Sequence, residues 1–167
     1  VPLHIWLPRA HPVAPSHVSA VMSAAMVKMG VYGAVLVAWQ MLPDGPAWWG
    51  LLVLGLGAVS AVYGILQASV ATDLKRLLAY STTENVGLMF VALGVAILPD
   101  GAFEAGLADV AVAACLLLVV GHAAFKTALF LGAGSVLHAT GERDLDRMGG
   151  LMHRMPTTAT AFGIGAL

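Results

Sequence analysis

Residues 109–139 read DVAVAACLLLVVGHAAFKTALFLGAGSVLHA, and residues 16–39 read SHVSAVMSAAMVKMGVYGAVLVAW. Each is long enough to cross the roughly 30 Å hydrocarbon core of a bilayer, which takes about 20 predominantly apolar residues. Each also carries a lysine near its middle, Lys126 in the first and Lys28 in the second. An ionisable side chain at that depth costs about 2.5–3.5 kcal/mol on insertion scales, so its default reading is a functional polar interior. These two stretches set the fold class, an all-α polytopic transmembrane helix bundle. They also raise a functional expectation, a conduit for protons or ions.

Composition agrees. Of 167 residues, 59% are hydrophobic and only 10% charged, against about 25% charged in soluble domains. Mean hydropathy is +0.88. The net charge of −1 and the absence of a basic run give no sign of nucleic-acid binding. Cys115, the only cysteine, excludes an intrachain disulfide and a thiolate metal cluster. No P-loop, dinucleotide fingerprint, haem-attachment motif or nucleophile elbow is present. The chain is therefore expected to hold no cofactor and to do no redox chemistry itself. No signal peptide is visible. The chain starts Val1-Pro2 and stops in an apolar stretch at Leu167, so a fragment of a longer protein is expected.

One transmembrane domain is expected, with spans at about 16–40, 47–71, 75–98 and 109–139 and another starting near 157. Pro43-Asp44-Gly45-Pro46 and Pro99-Asp100-Gly101 mark turns, and Thr72–Arg76 is a tight polar junction. Residues 140–156, TGERDLDRMGGLMHRMP, are too polar for the membrane, and Asp144–Arg147 could form a short surface helix. Gly55 and Gly57 with Ala58, and Gly132 and Gly134 with Ala133, are expected to mark close helix contacts. Segment 1–17, VPLHIWLPRAHPVAPSH, holds four prolines, which are expected to prevent a regular helix, and Ile5-Trp6-Leu7 suggests an interfacial anchor. Segments 1–17, 72–76 and 140–156 fall on one side and carry six of the eight basic residues. The opposite loops carry only Asp44, Asp100 and Glu104. The positive-inside rule makes the first side cytoplasmic.

Inside the membrane, Lys28 has no carboxylate on its own helix, so its partner must come from another. His122 and Lys126 stand at i and i+4 on one helical face and make a plausible proton relay. His138, further along, extends the path toward the cytoplasm or is simply interfacial. Glu84, after Ser81-Thr82-Thr83, is a carboxylate that Lys126 or Lys28 could neutralise, or a rim group. His4, His11 and His17 are spaced by 7 and 6, which is no metal signature, and each reads as a structural hydrogen bonder.

Three blocks carry a resemblance: PLHIWLPRAHPVAPSHVSAVMSAAMVKMGVYG, TDLKRLLAYSTTENVG and GHAAFKTALFLGAGSVLHATGERDLDRMGGL. In this order they resemble the antiporter-like membrane subunits of respiratory complex I, Mrp-type sodium/proton antiporters and membrane-bound nickel-iron hydrogenases. The wording looks most like the large antiporter-like subunit of hydrogenase-4 and formate hydrogenlyase complexes. The resemblance implies a fold of about fourteen transmembrane helices built from inverted repeats, with polar residues near the midplane. It places this chain from the end of helix seven to the start of helix twelve. Lys28 matches the family's central lysine of helix eight. His122 matches its helix-eleven histidine, and Lys126 a lysine found one turn later in some members. Asn85 departs from the histidine of many complex I relatives; since Asn cannot titrate, a relay there would use Glu84 or water.

The resemblance further implies proton translocation coupled to electron transfer in partner subunits that hold iron-sulfur and nickel-iron centres. The partners expected are other membrane subunits, a peripheral redox arm, the lipid bilayer and protons. The implied location is a bacterial or archaeal inner membrane. The alternatives are an Mrp-type antiporter subunit and a membrane anchor that no longer pumps.

Overall fold

The computed structural model describes residues 3–41, 45–99 and 106–166. The elements are α1 (Leu7–Val13), α2 (Ser16–Val21), a π-helical stretch (Met22–Met26), α3 (Val27–Val35), a second π stretch (Leu36–Met41), α4 (Ala47–Ser69), α5 (Leu74–Ala96), α6 (Leu107–Thr140), a 3-10 turn (Leu145–Arg147), α7 (Leu151–Arg154) and α8 (Pro156–Ala166). No strand occurs among the described residues; one isolated bridge pairs Asp73 with Asp144. Pro43, Asp44, Asp100, Gly101 and Glu104, which bear on the two turns and the acidic side, lie outside the described residues.

Residues 16–41 form one continuous helical rod. Ser16–Ala38, Ala47–Ser69 and Leu107–Thr140 are long and apolar enough to cross a membrane. α5 matches α4 in length at 23 residues, but Lys75, Arg76 and Glu84 make it more polar. It is the central helix all the same. Eleven of its residues are buried against six of α4.

α4 and α5 meet along a glycine seam. Gly50 lies beside Gly94, Gly57 beside Gly87 and Gly64 beside Tyr80, so the two helices run antiparallel at the same depth. Small residues let backbones approach closely where no hydrophobic effect drives helices together. At Gly64 a Cβ would stand 2.5 Å from the Glu84 backbone nitrogen. Gly57 belongs to this seam as the sequence suggests, but Gly55 does not: it is exposed, and a Cβ there meets nothing within 4 Å. Two residues along a helix is about 200° of rotation, so the two glycines cannot share a face. Gly132 faces Phe162 of α8, and Gly134 faces Ser16 of α2.

The proline-rich segment is partly helical, contrary to the expectation from its prolines. α1 holds Pro8 in its first turn, where no N–H is needed, and Pro12 in its last, so the helix loses little before it ends. Pro15 then caps α2 in an extended conformation. Ile5 and Trp6 are exposed, while Leu7 and His11 are buried.

The three basic segments gather at one end of the bundle. Lys75 Nζ donates to Ala14 O at 2.9 Å, and Arg143 Nη1 donates to Pro12 O at 3.0 Å. Two cations thus meet the carbonyls at the C-terminus of α1, where the helix dipole favours positive charge. Leu74 N–H donates to Arg143 O at 3.2 Å and Leu145 N–H to Thr72 O at 2.8 Å, tying the start of α5 to the loop after α6. In that loop, the amides of Asp144 and Arg143 donate to the Glu142 carboxylate and hold its carboxyl below the usual range.

The seam is directly testable. Gly64→Leu drives a side chain into backbone and is expected to lower stability by about 1–3 kcal/mol or more. Gly55→Leu points into open space and should leave the thermal melt of the detergent-solubilised protein unchanged. Equal melts for the two variants would refute the seam.

Candidate functional site

Two apolar clusters frame a polar layer. One is formed by Val31 and Val35 of α3, Val86, Met89 and Leu93 of α5, and Cys115 of α6. The other is formed by Ala20 of α2, Leu78 of α5, and Leu129, Phe130 and Ala133 of α6. Between them in sequence on the same helices stand Ser23, Lys28, Thr82, His122 and Lys126, none more than 6% exposed. Water is scarce at such depth, so each polar group must find a partner inside the protein.

The partners are specific. Lys28 Nζ contacts His122 Nδ1 across helices and also donates to the carbonyl of Ser23. Lys126 Nζ donates to the carbonyl of Leu78 at 3.0 Å. Thr82 Oγ1 donates to the same carbonyl at 3.0 Å and bonds Ser23 Oγ at 2.9 Å. With an ammonium at Lys28 donating to Nδ1, the proton of neutral His122 sits on Nε2. That nitrogen is buried without a hydrogen-bond partner among the described residues.

The partner of Lys28 does come from another helix, and it is a histidine rather than a carboxylate. His122, paired by its spacing with Lys126, is joined instead to Lys28. Glu84 is only partly buried and makes no ion pair with either lysine; the ion pairs among the described residues are those of Arg147 with Glu142 and Asp144 at the exposed end. It lies two residues from Thr82, on the other side of α5, where its backbone abuts Gly64. Asn85 bonds the Ser81 carbonyl of its own helix at 2.9 Å. His138 is exposed near the end of α6 and is not brought to the cluster.

Sequence reasoning missed three residues. Ser23 and Thr82 are fully buried hydroxyls; their polarity within apolar runs was the available signal. His11, expected to be a structural hydrogen bonder, is fully buried with neither ring nitrogen partnered among the described residues. Its ring stacks on Phe130 at 4.7 Å, one helical turn beyond Lys126 toward the basic end. A cavity of 280 Å³ lined by His4, Val27, Val31 and Thr83 opens alongside α3 and α5. Its lining is mainly apolar, with His4, whose Nδ1 is buried and unpartnered among the described residues, among its few polar groups.

The chain as a whole is similar to known proteins. A protein of Mycobacterium tuberculosis with no assigned function is 61% identical over 167 residues, covering 100% of this chain and 26% of its own length. Hydrogenase-4 component B of Escherichia coli K12 is 48% identical over 169 residues, covering 100% of this chain and 25% of its own. The chain thus spans about a quarter of these relatives. Among solved structures, a chain of the membrane-bound sulfane sulfur reductase, an archaeal respiratory membrane complex, superposes with a TM-score of 0.78 at 29% identity, over 98% of this chain and 32% of that one. The family described as NADH:quinone oxidoreductase/Mrp antiporter, transmembrane, matches residues 1–167 throughout. With its helical bundle and buried lysines, the chain belongs to that family of antiporter-like membrane subunits.

Proposed function

We propose that this chain is part of a proton-translocating, antiporter-like subunit of a membrane oxidoreductase complex of the hydrogenase-4 and formate hydrogenlyase type. The observation that carries the reading is the buried contact between Lys28 and His122. It joins two titratable groups from different helices, with no carboxylate bound to either among the described residues.

Proton passage follows from their chemistry. The Lys28 ammonium gives a proton to His122 Nδ1, leaving a neutral amine and an imidazolium. The imidazolium then releases the proton on Nε2 to water. Lys126 is the next station one turn along α6, and His11 stands beyond it toward the basic end. Changes in charge or position imposed by partner subunits raise or lower the proton affinity of Lys28 and so drive the transfer. Electron transfer takes place in those partners, on iron-sulfur and nickel-iron centres of a peripheral arm. The basic end faces the cytoplasm of a bacterial or archaeal cell.

The similarity to Hydrogenase-4 component B supports the choice of complex. The family also includes Mrp antiporters, and an Mrp-type subunit would use the same cluster without a redox partner. Neighbouring genes for hydrogenase subunits or for small antiporter subunits separate the two.

In the full-length subunit within its complex, Lys28→Met is expected to remove most of the proton uptake per electron, because a thioether cannot take up or release a proton. His138→Gln should leave it unchanged. Sealed vesicles with parallel measurement of electron transfer read both. Unchanged coupling in Lys28→Met would make Lys28 structural and favour a membrane anchor. For orientation, with Cys115 replaced by Ala, an impermeant maleimide should label Arg147→Cys from the cytoplasmic side and Trp48→Cys from the other. The reverse pattern would invert the topology.

A further inference from the structure

Lys28 and Lys126 are linked by more than their shared neighbourhood. Val27 N–H bonds to Met22 O, five residues back, in the π-helical stretch. An α-helix would have given that N–H to the carbonyl of Ser23. Lys28 Nζ donates to this carbonyl instead. Ser23 therefore serves one lysine with its backbone oxygen and reaches α5 with its side chain.

The direction of the next link can be deduced. Thr82 has one hydroxyl proton, and it goes to Leu78 O at 3.0 Å. At the 2.9 Å Ser23–Thr82 bond, Ser23 is therefore the donor. The chain runs from Ser23 Oγ to Thr82 Oγ1 to Leu78 O, where Lys126 Nζ also donates. With His122 on Lys28 and Lys126 one turn along α6, the bonds close a ring through the π stretch, α5 and α6. Both hydroxyls are fully buried, so water cannot readily replace either one.

We propose that the Ser23–Thr82 hydroxyl pair is a positioning bridge that holds Lys28 and Lys126 in one hydrogen-bonded frame, and that coupled proton passage between them depends on it. This rests on the proton-translocating reading above and assigns that site two further residues. Neither hydroxyl carries the charge. Each fixes where a lysine finds its carbonyl: Ser23 through the rod that bears Lys28, and Thr82 through the Leu78 carbonyl it shares with Lys126. Removing the Thr82 hydroxyl leaves that of Ser23 buried and unpaired, whereas removing both leaves an apolar contact that costs the fold little. A structural role and a positioning role therefore predict different outcomes for the double variant.

The test uses the full-length subunit in its membrane complex, with assembly read on native gels and proton uptake per electron in sealed vesicles. Thr82→Val is expected to lower uptake per electron about fivefold, the weight of one net hydrogen bond. Thr82→Ser should restore it. Ser23→Ala with Thr82→Val should assemble at least as well as Thr82→Val alone yet stay uncoupled. Wild-type coupling in Thr82→Val, failure of Thr82→Ser to rescue, or recovered coupling in the double variant would each overturn the bridge. Lys28→Met run alongside separates the two levels. Lost coupling in Lys28→Met with intact coupling in Thr82→Val rejects only the bridge, while intact coupling in Lys28→Met rejects the proton path itself.

Discussion

An ammonium group at membrane depth must find its acceptors within the protein, and that requirement organises the bundle. Lys28 and Lys126 answer it with the carbonyls of Ser23 and Leu78 and the ring of His122. A carbonyl already committed to a helix ladder still has a second lone pair, and a carbonyl beside a π turn is freer still. To deliver Leu78 and Thr82 to this layer, α5 must run alongside both lysine-bearing helices. Its polarity is the consequence, and its burial is what makes that polarity tolerable. The apolar clusters in the sequence before and after the layer keep water out and strengthen every polar contact inside.

The glycine seam follows from the same demand. A central helix loaded with Lys75, Arg76 and Glu84 has less apolar surface to offer a bilayer than its neighbours. Laying α4 backbone-to-backbone against it shields one whole side, through close packing rather than hydrophobic gain. At the far end of α5, Lys75 reaches α1, and the loop after α6 reaches both α1 and the start of α5. The short helix α1 is thereby fixed to the bundle end at its C-terminal carbonyls. It also places His11 over Phe130, so one fixed element carries a titratable ring into the interior.

The buried cluster centres on the contact between Lys28 and His122. Direct contact between a lysine and a histidine needs only a small rearrangement to exchange a proton. A carboxylate in the cluster would hold the lysine charged, and among the described residues none is there. Glu84 makes no hydrogen bond or ion pair with either lysine among the described residues, and its backbone helps to form the seam. The cluster therefore consists of nitrogen bases, hydroxyls and carbonyls joined across three helical segments.

The amino-acid sequence by itself determined the membrane class, the positions of the long helices to within a few residues, the clustering of basic loops and the family. Those properties are local: the length of an apolar run, the position of a breaker, the sign of a loop. Of the glycines the sequence singled out on α4, Gly57 lies in the seam and Gly55 does not, and the seam's partners Gly50 and Gly64 emerge only from the packing. Only the tertiary structure decided which groups meet. Helical spacing joins His122 to Lys126, because periodicity reports the faces of a single helix. The fold joins His122 to Lys28, 94 residues away, because the rotation of each helix about its axis is set by what packs against it. The bond between Ser23 and Thr82, 59 residues apart, has the same origin. The helix formed through the prolines of segment 1–17 also depends on the Lys75 and Arg143 side chains that bond its last carbonyls.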